Sequence, residues 1–164
     1  MLNDDIRACA ERATLCWLAT VDAAGQPNVS PKEIFAVFDE VHLVIANIAS
    51  PASARNVGSG VPVCVSFVDI FVQKGWKVRG QARHVDRRSA DHAHWAAPLV
   101  AMAGPRFPLR GVIVVRATAV EPIVAPSYRL HPAETTEATQ VASALRTYRV
   151  EPAADFWRGR SRAA

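Results

Sequence analysis

Four segments of the 164-residue chain carry residues whose types and spacing suit chemistry. The first runs Val44-Ile45-Ala46-Asn47 and then Ser50-Pro51-Ala52-Ser53-Ala54-Arg55-Asn56-Val57-Gly58. It reads as a strand leading into a short helix. Ser50 suits the N-cap, Pro51 the first helical position and Gly58 the stop. The backbone N–H groups that open such a helix attract an anion, and Ser50, Ser53 and Arg55 add donors. Alanines at 46, 49, 52 and 54 let a ligand approach the backbone. A capped helix with no ligand is the commoner use of such residues.

The second segment is Pro27-Asn28-Val29-Ser30-Pro31-Lys32-Glu33. Its prolines donate no ladder hydrogen bond, so it reads as an edge strand with free backbone groups beside them. Those groups suit the rim of a flat polar heterocycle, and Lys32 suits an electron-rich ring or a phosphate. An irregular edge with no ligand is the plainer reading. The third segment, Gln73-Lys74-Gly75-Trp76-Lys77-Val78-Arg79-Gly80, sets cations and an indole about a turn. Ion pairing and stacking there would hold an anionic aromatic ligand. A solvated hairpin anchored by one tryptophan accounts for the residues equally well. The fourth is His92-x-His94, with His84 and Asp91 near in sequence. Residues two apart diverge on a helix, so no metal site is expected. There is no P-loop and no nucleophile elbow, and Gly58-Ser59-Gly60 precedes a strand, unlike a dinucleotide fingerprint.

These segments need elements to position them. Ile6, Cys9, Ala10 and Ala13 fall at helical spacing behind Asn3 or Asp4 as the cap. Residues 15–21 read as a mostly apolar strand, closed by the turn Asp22-Ala23-Ala24-Gly25, with 26–32 as its return arm. Further strands are predicted over 34–38, 42–46, 61–68, 76–85 and 110–120, and helices over 50–58, 89–103 and 132–148. In 76–85, Lys77, Arg79, Gln81 and Arg83 alternate with Val78, Gly80, Ala82 and His84, so one face is wet or meets something polar. Hairpins come first and regular strand–helix alternation is absent, which argues against a parallel sheet. Six or seven short antiparallel strands make a mainly β fold, a small barrel with α-helices in its connections.

Composition narrows the class. Half the residues are hydrophobic, which excludes disorder, and the length suits one domain spanning 1–164. No apolar run reaches eighteen residues, and the start Met1-Leu2-Asn3-Asp4-Asp5 is acidic, so neither a membrane span nor a signal peptide is expected. Cys9, Cys16 and Cys64 are odd in number and lack paired spacing, so a soluble, reduced, cytoplasmic protein is expected. Residues 1–75 hold five Lys/Arg against eight Asp/Glu, and 76–164 hold fourteen against seven. The basic residues are mostly isolated. Arg158, Arg160 and Arg162 approach a cluster, in a Gly/Ser/Ala tail expected to fray. No strand carries the paired stacking rings of nucleic-acid-binding barrels, so no nucleic-acid partner is expected.

Over residues 12–120 the order of these segments resembles the pyridoxamine 5'-phosphate oxidase-like family, the FMN-binding split barrels. The resemblance rests on Leu18-Ala19-Thr20-Val21-Asp22-Ala23-Ala24-Gly25-Gln26-Pro27-Asn28-Val29-Ser30-Pro31, on His42 through Asn47 with the helix after Ser50, and on Asp69 through Gly80. It implies a six-stranded antiparallel split barrel, a homodimer, and two FMN molecules at the subunit interface. Carried over residue by residue, Ser30, Pro31, Lys32 and Glu33 line the isoalloxazine. Ile45 and Ala46 flank the ring and ribityl chain, and Ser50, Ser53 and Arg55 hold the phosphate. Lys74 and Trp76 reach the flavin, with the second subunit as one source.

The implied function is an FMN-dependent oxidoreductase acting on a small molecule. The alternative is a non-catalytic carrier or stress sensor for flavin, F420 or haem, with His42, His84 or His131 as axial ligand. Two departures bear on this. Where family members often carry Arg-Lys at the start of the phosphate-binding helix, this chain has Pro51 and Ala52, which brings F420 in as the alternative cofactor. Arg129-Leu130-His131 repeats letters of the true oxidase's C-terminal signature but precedes a helix, so vitamin B6 oxidation is not expected.

Overall fold

The computed structural model describes residues 1–157; Arg158, Arg160 and Arg162 lie outside the described residues. The elements run α1 (Asp4–Arg12), β1 (Cys16–Val21), β2 (Pro27–Lys32), β3 (Phe35–Val37), β4 (His42–Asn47), α2 (Pro51–Asn56), β5 (Ser59–Asp69), β6 (Lys74–Asp86), α3 (His92–Ala103), β7 (Gly111–Val124), α4 (Ser127–Leu130) and α5 (Glu137–Tyr148). No helix among the described residues is long and apolar enough to cross a membrane.

Seven strands, rather than the six the resemblance implied, form one antiparallel sheet in the order β2-β1-β5-β6-β7-β4-β3. Local chemistry explains the first hairpin. Asp22 Oδ1 accepts from Ala24 N and Gln26 N, both at 2.9 Å, and Gly25 takes φ +80°. Pro27 and Pro31 sit in β2, which pairs only with β1, so the missing donors fall on a free edge.

The sheet curls into a half-barrel, and its own connectivity requires this. β2 and β3 occupy opposite edges, yet only Glu33 and Ile34 separate them in the chain. Seven flat strands would put those edges about 29 Å apart at ~4.8 Å per gap. Lys32 and Phe35 can be at most about 11 Å apart. Curling also brings Phe35 on β3 within 5.7 Å, ring to ring, of Phe67 on β5. The interior holds Leu18, Leu43, Ile45, Val65, Phe67, Val78, Ile113 and Val115, closed at one end by Ile6 and Cys9 of α1. A second core, around Val44, Ala46, Leu99, Val112 and Val114, glues α3 to the outside of β4 and β7.

Gly80 shows how closely neighbours meet at the bulge between β6 and β7. A Cβ there would collide with the Arg116 carbonyl oxygen and the Val115 side chain. Several boundaries differ from the sequence reading: β5 already starts at Ser59 and ends at Asp69, and β7 runs on to Val124. β6 begins at Lys74, because the turn closes over residues 70–73. The helix expected over 89–103 begins at His92, after a turn. The segment 132–148 is not one helix. α4 precedes it, and α5 starts only after Thr136, where Thr136 Oγ1 accepts from Thr139 N (3.1 Å) and Thr139 Oγ1 from Thr136 N (2.9 Å). That reciprocal cap sets the helix start.

Candidate functional site

The seam of the half-barrel, where the chain crosses from β2 to β3, is where the site forms. Along β2, Asn28, Ser30 and Lys32 share the inward face. α2 packs on that face through side-chain hydrogen bonds. Ser30 Oγ and Ser53 Oγ are 3.0 Å apart. Asn28 Nδ2 donates to Thr20 Oγ1 (3.1 Å) and Ser53 Oγ (3.5 Å), and Asn56 Nδ2 donates to the same Thr20 Oγ1 (3.0 Å). The network pins the start of α2 beside the end of β2.

Lys32 is the consequence. Its residue is 6 % exposed, and Nζ donates to Ser50 Oγ. No ion pair reaches it among the described residues. Cys16 is its cross-strand partner, but burial pushes that thiol up to about 12, so it stays neutral near pH 7 and supplies no counter-charge. Burial holds the Lys32 ammonium below its ordinary value. A buried cation whose hydrogen-bond partner is one hydroxyl is poised to take an anion.

That cation borders a cavity of about 230 Å³. Of the expected residues, Pro31, Lys32, Glu33, Ala46 and Ser50 line it together. The sequence reading missed Ile34, Ile48 and Phe107, which with the expected Ala49 make its apolar wall. Ile34 is held there because its carbonyl accepts from Ala46 N at 2.9 Å. Phe107 comes from the α3–β7 connection and is half exposed over the opening.

Other expected residues lie elsewhere. Ser53 is 1 % exposed and turned onto Ser30 and Asn28, so this pair ties α2 to the hairpin and does not face the cavity. Ser50 makes no side-chain capping bond; its hydroxyl serves Lys32 instead. Ile45 points into the barrel core between Phe35 and Ile113, because alternation sends its neighbour Ala46 to the cavity. Arg55 sits exposed in the last turn of α2, off the wall. Lys74 and Trp76 line a separate cavity of about 310 Å³ with Arg12, Asp69 and Glu137. The two cations there are already paired: Arg12 with Asp69 (3.1 Å), and Lys74 with Glu137 (2.8 Å) while lying 4.5 Å from the Tyr128 ring. Within one chain these two residues do not join Lys32.

Among the described residues no group of three metal-type side chains converges, and His92 and His94 occupy the first turn of α3. His42 is bonded to Asp39, and His84 Nε2 lies 3.0 Å from Asn47 Nδ2.

Comparison with known proteins agrees with this architecture. The family model described as pyridoxamine 5'-phosphate oxidase matches residues 2–123. No curated protein matches the chain. Among solved structures, HupZ of Group A Streptococcus is 20 % identical, with a TM-score of 0.64 over 76 % of this chain and 96 % of that one. An FMN-binding protein of Syntrophomonas wolfei is 16 % identical, with a TM-score of 0.59 over 74 % and 85 %. An F420 reductase is 24 % identical, with a TM-score of 0.54 over 73 % and 98 %. Identities this low speak to the fold alone. The family match over residues 2–123, on a curled antiparallel sheet, shows that the chain belongs to the pyridoxamine 5'-phosphate oxidase family.

Proposed function

We propose that the protein is a cytoplasmic, FMN-dependent oxidoreductase acting on a small molecule, and that it works as a homodimer. The observation that carries this reading is Lys32: buried, without a carboxylate partner among the described residues, and bordering the seam cavity. A bound flavin supplies hydride or electron transfer. The residues of the chain do the rest. Lys32 Nζ and Ser50 Oγ touch, so they serve one anionic group of the ligand. Ile34, Ile48 and Phe107 offer a flat apolar surface and exclude water. Glu33 brings a carboxylate to the opening. Lys74 and Trp76 would act from the second copy.

Two features support the dimer. Ligand pockets run to about 300–1,000 Å³, and the seam cavity of about 230 Å³ is smaller, so one chain supplies part of a site. Trp17, Val21 and Val29 are 46 %, 50 % and 58 % exposed on the outer face of the β1–β2 hairpin, with Pro31 opposite Trp17. Such an apolar patch calls for a cover, and it runs continuously to the cavity through Pro31. The free thiols of Cys16 and Cys64 suit a reducing compartment.

F420 is the second reading, favoured by Pro51 and Ala52 standing where family members often carry a basic pair. The absorbance spectrum of freshly purified protein, followed by addition of NAD(P)H, tests the proposal. A flavin band that bleaches and then recovers in air is the expected result. A band that NAD(P)H and other reduced nicotinamide or deazaflavin donors leave unchanged would reduce the protein to a carrier.

A further inference from the structure

A second cleft, of about 180 Å³, opens at the other end of β4 from the seam cavity. Its floor is a row across three paired strands. His42 on β4 lies opposite Arg116 on β7, and Arg116 lies opposite Gln81 on β6. Neighbouring strands are about 4.8 Å apart, so the three side chains stand abreast on one face of the sheet. Arg83, two residues beyond Gln81, adds a second guanidinium to the same wall.

The far side is built by a bulge. Ser59 pairs with Arg83 and Val61 with Ala82, which leaves Gly60 between them out of the ladder at φ +68°. Its main-chain polar groups are freed from pairing beside the cleft, and the space where its side chain would stand is open. Bulges of this kind recur next to binding sites because they re-aim the backbone.

The charges in the cleft point one way. Asp91 engages Arg83 (3.0 Å) and the Trp95 indole N–H (3.1 Å), and it does not line the cleft. Asp39 accepts from His42 Nδ1 at 2.8 Å. Burial opposes ionisation of Asp39, but hydrogen bonds from His42 and the backbone outweigh it, so the carboxylate is the acceptor and Nδ1 carries the hydrogen. With Nδ1–H given to Asp39, Nε2 is the ring atom left over, and it donates to an oxyanion when the ring is the imidazolium. Arg116 has no carboxylate partner among the described residues. An exposed guanidinium between an imidazole and a primary amide, with no acid on the wall, matches the forked geometry of an oxyanion.

We propose that this cleft is a binding site for the phosphate group of a small phosphomonoester, held by Arg116, Gln81, His42 and the Gly60 bulge, separate from the seam cavity. Arg83 closes the side nearest α3. The site does not depend on the flavin reading.

The test is a titration of the isotopically labelled full chain with inorganic phosphate, followed by amide chemical shifts at ionic strength matched with chloride. Saturable shifts at Gly60, Gln81 and His42 are expected. Arg116→Gln should weaken binding at least tenfold, and Gln81→Ala, a second exposed position, several-fold. Lys32→Met should leave these shifts unchanged. Shifts that fail to saturate, that chloride reproduces, or that survive Arg116→Gln would overturn the proposal. Succinate binding as tightly as phosphate would overturn the phosphate assignment.

Discussion

Lys32 donates its ammonium hydrogen to the Ser50 hydroxyl across the barrel seam, and no carboxylate among the described residues pairs with it. The chain keeps a cation in a place that costs stability. Such a cost persists where something other than folding uses the charge.

Replacing that cation should therefore stabilise the ligand-free protein. Lys32→Met removes a buried charge and keeps the length of the side chain. Its ligand-free stability should rise by about 1–2 kcal/mol near pH 7. The gain has a pH signature. A lysine whose folded value lies below 10.5 binds fewer protons when folded, so wild-type stability recovers as pH climbs toward 10.5. The difference between Lys32→Met and wild type should shrink over that interval. Thermal denaturation of both proteins at several pH values measures it, and a constant difference would mean the charge is already compensated.

The buried hydroxyl of Thr20 takes two amide hydrogens, from Asn28 and Asn56. Thr20→Val keeps the shape, takes this acceptor from Asn56 Nδ2 and leaves Asn28 Nδ2 with only the long bond to Ser53 Oγ. A loss of about 1–3 kcal/mol is expected in urea denaturation. Because this network seats α2, FMN affinity should fall too, although Thr20 does not line the cavity.

Gly80→Ala forces a methyl group into the Arg116 carbonyl and the Val115 side chain. The two longest strands would have to separate locally. Destabilisation of about 1–3 kcal/mol or more is expected, read as a lowered denaturation midpoint. An unchanged midpoint would show that the β6–β7 bulge relaxes freely.

Much of this was legible from residue order. Asp22 and Gly25 announced the hairpin, two prolines marked β2 as an edge, and Ser50-Pro51 marked the start of α2. The β2 side of the site was legible as well, because Pro31, Lys32 and Glu33 adjoin. What stayed hidden depends on how distant elements fold over one another. Phe107 reaches the cavity from the α3–β7 connection, and no local pattern says which loop covers which opening. Ser53 reads as a phosphate ligand by type and position, yet the packing of α2 on β2 turns it onto Ser30. Lys74 and Trp76 follow a turn that places them beside α1 and α5. Spacing describes neighbours along the chain; the curl of the sheet decides neighbours in space.

Trp17 stands exposed opposite Pro31 on the hairpin's outer face. Trp17→Asp should leave the monomer folded and abolish pairing. Light scattering should give twice 17.8 kDa for wild type and 17.8 kDa for the variant. Wild type at the monomer mass at micromolar concentration would remove the dimer from the account.

Buried Lys32 is proposed to take the anionic group of FMN. Calorimetric titration of FMN into wild type and Lys32→Met tests it most directly, with circular dichroism to establish that both are folded. Saturable binding by wild type at one FMN per chain is expected, with binding at least tenfold weaker for the folded Lys32→Met protein. Equal affinity in the two proteins, or no binding by wild type, would contradict it.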